Sequence, residues 1–150
     1  MTNNYTHPLL RVFSGIIDLS FTMFISLLII SVYLPAIIFV FIFVPILNSL
    51  LIHFLGGSLG ALVCGSQIID ASGNKLSFGK AYFRIYAGIN FVGSLWIFID
   101  KKHQAWQDKF VDCYVVQKSY WGIITGLISL IVLSAGNLFL VAKIISSLQF

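Results

Sequence analysis

The amino-acid sequence predicts an all-α integral membrane protein: three transmembrane helices, a re-entrant or interfacial helical segment and a small cytoplasmic β element, with four full spans as the alternative. Composition is the first reason. Of 150 residues, 59% are hydrophobic and only 9% charged, whereas a soluble domain carries roughly a quarter charged residues. The second is continuity, since no charged residue occurs from Leu19 to Ile52. The third is the grouping of basic residues between Lys75 and Lys118, where a cytoplasmic membrane face accounts for them.

Several function classes fall away at this level. Nine Lys+Arg against five Asp+Glu give a net charge of +4, which positive-inside bias and anionic lipid explain without nucleic acid. Cys64 and Cys113 are too few for a disulfide framework and lack metal-ligand spacing, so no metal and no cofactor are expected. No catalytic residue and no enzyme activity are expected either. The opening "MTNNYTHPLLRVFSG" does not read as a signal peptide, because its arginine comes late and an aspartate interrupts the apolar run.

The apolar region from Leu9 to Leu55 suffices for two spans of about 20 residues each. Pro35 in "VYLPA" is the expected break, which places the spans near 9–33 and 36–55. Thr6 and Pro8 suit the N-cap region and first turn of the first helix. Pro45 is expected to kink the second, and Gly56-Gly57 to end it. The turn chemistry of "DASGN" predicts a short hairpin over 62–78, and "CYVVQK", Cys113 to Lys118, has similar strand character.

Segment 81–99 is long enough to cross, but both its flanks are basic. Lys75, Lys80 and Arg84 precede its core, and Lys101, Lys102, Lys109 and Lys118 follow. A re-entrant segment broken near Gly88 or Gly93-Ser94 keeps both clusters cytoplasmic and lets the two strand-like segments meet. Residues 100–118 are then cytoplasmic, with Trp106 at the lipid interface. An additional span lies in 119–150, with Tyr120 and Trp121 at one interface and Lys143 snorkelling to the other. Residues 1–118 form the main membrane domain.

Ionisable residues inside a membrane are costly and point to function. Arg11 and Asp18 lie within about 20° on one helix face but about 10.5 Å apart along the axis, so each is expected to find its partner elsewhere. Pairing the first two spans about Pro35 sets Asp18 level with Leu51, between Asn48 and His53, and Arg11 level with Ser58. Asp18, Asn48, His53 and Arg84 are therefore the candidate intramembrane polar site. "GGSLG", Gly56 to Gly60, matches the G-x-S-x-G of a nucleophile elbow in letters only, because a membrane helix precedes it where that motif needs a strand. In the final span Gly122 and Gly126, with Ser129, form a small-residue face for close helix packing, either between chains or within one.

Together these residues resemble the RDD family of membrane proteins, named for one arginine and two aspartates. "RVFSGIID" resembles its opening, carrying Arg11 and Asp18. "GGSLG" with "IIDASGNKLSFGKAYFR" resembles its glycine-containing turn, strand and following arginine, and "HQAWQDKFVDCYVV" resembles its closing stretch and places the second aspartate at Asp108. The resemblance covers about residues 9–118. Ala61 stands where a lysine is common in the family, and Asp112-Cys113 where glycine-threonine is common.

The resemblance implies a multi-pass protein of the bacterial cytoplasmic (inner) membrane with its N-terminus cytoplasmic. It leaves two roles open. The expected one is a non-enzymatic accessory or regulatory subunit that meets other membrane subunits or itself within the lipid bilayer. The alternative is a transporter coupled to a monovalent cation or proton, with Asp18 as the protonatable group.

Overall fold

The computed structural model describes residues 5–32, 37–88 and 91–148. The break expected at Pro35 falls in 33–36, outside the described residues. On either side stand two long helices, α1 (Pro8–Val32) and α2 (Ile37–Leu55). Pro8 occupies the first helical position, where its missing N–H costs nothing, and the preceding His7 accepts the Leu9 N–H on Nδ1 at 3.3 Å. Thr6 is not the cap. It is buried on a strand edge, its N–H donating to the Val115 carbonyl at 2.9 Å and its hydroxyl to Ser66 Oγ at 3.3 Å.

Gly56 terminates α2 at φ +85°, a left-handed conformation open to glycine, and its N–H returns to the Ile52 carbonyl at 3.0 Å. The chain then forms α3 (Leu59–Val63) and β1 (Ser66–Asp70). The "DASGN" turn closes on Asp70, whose carboxylate accepts the N–H groups of Ser72 and Asn74 at 2.8 and 2.9 Å. The hairpin expected over 62–78 does not extend past one bridge, Ile69 to Lys75. Its return arm is only Lys75 and Leu76 before the next helix begins, too short for a ladder. The partner of β1 is instead β2 (Cys113–Gln117), antiparallel from Ser66–Gln117 to Asp70–Cys113. Tyr5 bridges Val116, so the N-terminal segment lines the other edge of β2.

Between the strands lie α4 (Phe78–Ala87), α5 (Phe91–Ser94), a 3-10 turn at Leu95–Phe98, and α6 (Trp106–Phe110). Segment 81–99 is thus no continuous helix. Its longest described helix, α4, has 10 residues, about 15 Å at 1.5 Å per residue, half a hydrocarbon core. The last element, α7 (Gly122–Leu148), is again long.

Two stretches, Pro8–Ser31 and Gly122–Ser147, are long and apolar enough to cross a membrane. They pack along each other, and α1 also packs on α3, whereas α2 packs chiefly against α4. Asn137 of α7 donates to the Ser20 carbonyl of α1 at 3.1 Å. A compact apolar cluster of Ile52, Ile68, Leu76, Ala81, Val111, Cys113 and Val115 joins the end of α2 to the sheet, α4 and α6. It ties the elements between α2 and α7 into one cap at the end of α2.

Candidate functional site

Asp108 is the centre of the cap. It is 0% exposed, and burying a lone carboxylate would cost several kcal/mol. Two guanidinium groups meet that cost. Arg11, from the first turn of α1, pairs with Oδ2, and Arg84, from α4, donates from Nε to Oδ1 at 2.8 Å. Oδ2 also accepts the Ala105 N–H at 3.0 Å, fixing the start of α6, and the Cys113 thiol lies 3.7 Å from Oδ1. Burial alone would push the Asp108 carboxyl up. The Arg84 and Arg11 charges outweigh it and hold the group below its ordinary value. Burial likewise pushes the Cys113 thiol up to about 12, so it is a neutral filler and not a nucleophile.

Arg11 has a second acceptor, the backbone carbonyl of His103. That residue is a non-glycine held at φ +52°, so the loop before α6 is pinned to α1. One arginine therefore fastens a membrane helix to a segment 92 to 97 positions away.

Asp18, deeper in α1, is held differently. Its Oδ2 accepts the Ser58 hydroxyl at 2.6 Å and its Oδ1 the Gly60 N–H at 2.7 Å. Ser58 is the N-cap residue of α3 but makes no side-chain cap bond itself; Asp18 supplies the carboxylate instead, from another helix. The fit requires glycine. A Cβ on Gly60 would collide with the Ser14 carbonyl oxygen and sit 3.0 Å from Asp18 Cγ. "GGSLG" is the receptor for the Asp18 carboxylate, a role its spacing does not reveal.

The expected polar site is therefore corrected in two of its members. Neither Asn48 nor His53 bonds Asp18: His53 Nδ1 engages the Leu76 carbonyl at 3.0 Å, and Asn48 Oδ1 is buried without a partner among the described residues. The cause is the helix arrangement. Levels on α1 and α2 correspond only if the two helices face each other along their length, and here α1 packs more extensively on α7 and α3, and α2 on α4, than the two pack on each other. Arg84 also departs from expectation, since its carboxylate is Asp108. It still joins Asp18, Arg11, Ser58, Ile97 and Gln107 around a cavity of about 460 Å³. Two arginines and two aspartates make this site formally neutral.

The small-residue face of α7 is used within the chain. A Cβ on Gly122 would collide with the Cys64 carbonyl oxygen, and one on Gly126 would lie 2.5 Å from the Phe13 ring. Ser129 is half-buried beyond them. That face seats α7 on α1 and α3 and is closed to a second chain. No group of three or more potential metal ligands occurs among the described residues.

Comparison with curated proteins and with solved structures gives no match. A family model described as the RDD family matches residues 5–112, a span that contains Arg11, Asp18, Arg84 and Asp108. The match covers well over half of the chain, and the protein belongs to the RDD family of membrane proteins.

Proposed function

We propose that this protein is a non-enzymatic accessory or regulatory subunit of a larger assembly in the bacterial cytoplasmic membrane. One observation carries the reading: every oxygen of the two site carboxylates is already taken by groups of the same chain. These acids join elements distant in sequence, which is scaffolding chemistry. The surface left for a partner is the uncovered apolar face of α7, with Ile131, Leu138 and Phe139 each more than two-thirds exposed.

The topology that supports this has three spans. Helix α2 has 19 residues, about 28 Å, close to a hydrocarbon core. Tyr5, the end of α2 and the start of α7 all attach to the one small sheet, through the Tyr5–Val116 bridge and backbone bonds from Ile68 to Gly56 and from Ser119 to Gly65. The three helices then begin or end on one side. All but Lys143 of the nine basic residues fall on that side in this reading, and the positive-inside bias supports a cytoplasmic assignment for it.

The experiment is purification in mild detergent followed by sizing and mass spectrometry. A stoichiometric complex, weakened by Leu138→Arg, is the expected result, and a homogeneous lone chain would refute the reading. The cavity shared by Arg11, Asp18 and Arg84 favours a second reading, cation- or proton-coupled transport through Asp18.

A further inference from the structure

A second cavity, of about 590 Å³, opens where α1 and α7 begin. Its lining combines Lys101, His7 and His103 with Tyr5 and Tyr120, above an apolar floor of Leu10 and Ile123. Among the described residues no carboxylate lines it. The nearby Asp100 is turned to Lys109 at 2.5 Å and to the N–H groups of Lys102 and Gln104. Lys101 is exposed and has no ion-pair partner among the described residues. The His7 ring receives the Leu9 N–H on Nδ1, which leaves Nε2–H as its remaining donor. His103 is fixed at the cavity wall by the Arg11 bond to its carbonyl and by its own Nδ1, 3.2 Å from the Ile97 carbonyl.

Position adds to this chemistry. The two stretches apolar enough to cross a membrane start at this rim, and Tyr120 and Trp121 beside it are 90% and 70% exposed, as aromatic side chains at headgroup level are. Both helices also direct the positive ends of their dipoles here. An occupant must be anionic at one end and apolar at the other.

We propose that this cavity binds the phosphate headgroup of an anionic glycerophospholipid. Lys101 supplies the charge, the His7 ring and the tyrosine hydroxyls supply donors, and an acyl chain lies against Leu10 and Ile123. The site adjoins the Arg11–Asp108 cluster through His103 and does not depend on the subunit role.

The test is thermal unfolding of the purified full chain in dodecyl maltoside, titrated with phosphatidylglycerol, phosphatidylcholine or inorganic phosphate. Phosphatidylglycerol is expected to raise the unfolding midpoint saturably, and the other two to leave it unchanged. Lys101→Gln should weaken the apparent affinity about fivefold, the worth of one basic residue at an anionic surface. Lys101→Arg should retain it, and Lys80→Gln, an exposed lysine on α4 outside the cavity lining, should have no effect. Equal responses to both lipids, an equal response to inorganic phosphate, or equal losses in Lys101→Gln and Lys80→Gln would each overturn the proposal.

Discussion

The two aspartates of the site solve one problem in opposite ways. Asp108 sits in the cap, fully buried, with its charge balanced by two full charges from α1 and α4. Asp18 sits within a membrane helix and, among the described residues, is hydrogen-bonded by neutral donors, a hydroxyl and a backbone N–H at the start of α3. Charge pairing is strong but leaves buried ions behind when one member is lost. Neutral donors cost less to lose and tolerate a neutral replacement. The cap should therefore be the brittle region and Asp18 the forgiving acid.

Asp108→Asn breaks that comparison open most directly. It leaves two guanidinium groups near a buried amide, and its expected cost is about 3–5 kcal/mol, seen as loss of a monodisperse peak in detergent chromatography or a collapsed thermal midpoint. A change under about 1 kcal/mol would mean that water or lipid already serves the arginines, below the range for breaking a buried pair. Next comes the close packing that delivers Asp18 to its donors. Gly60→Ala pushes a methyl group onto the Ser14 carbonyl and should cost about 1–3 kcal/mol, measured in the same unfolding assay. Asp18→Asn keeps an acceptor for one donor and strands the other, for about 1–2 kcal/mol. Should it prove as damaging as Asp108→Asn, the contrast between the two acids is wrong.

Acidity gives a smaller effect with a definite sign. The folded-state pKa of Asp108 is depressed below its ordinary 3.8. Its pairing thus contributes stability above that value and loses it only as pH falls further, toward the depressed pKa. Lowering pH from 7 to 5 should leave the Asp108 contribution intact, which a double comparison with Asp108→Asn across that range would check. Smallest of all, the Cys64 and Cys113 thiols are pushed by burial to about 11 and about 12. Alkylation at pH 8 should therefore be far slower at either than at a cysteine introduced for the exposed Lys102, as mass spectrometry can quantify.

The same contrast explains how much of the molecule can be read from sequence. The long helices are legible because apolar length has one dominant meaning, and the basic flanks of 81–99 disfavour a crossing on charge alone. The strand character of 66–70 and 113–117 is local and visible, as is the turn at Asp70. What escapes is pairing. Arg11 and Asp108 are 97 positions apart, and nothing local marks them as partners. Levelling Asp18 against Asn48 and His53 fails for a related reason. It assumes that consecutive helices are each other's main neighbours, and α7, from the far end of the chain, is the main neighbour of α1 instead. The glycines of "GGSLG" announce a close approach, but only the folded chain identifies the Ser14 carbonyl and Asp18 as the groups approached.

Under the proposed scaffolding role the buried charges hold this protein together and move nothing. Purified protein reconstituted into liposomes, with a pH-sensitive dye inside and a sodium or potassium gradient applied, tests it. Folded protein is expected to give no cation-dependent proton flux, with no difference between the wild-type chain and Asp18→Asn. A flux that follows the cation gradient and disappears in Asp18→Asn would contradict that role.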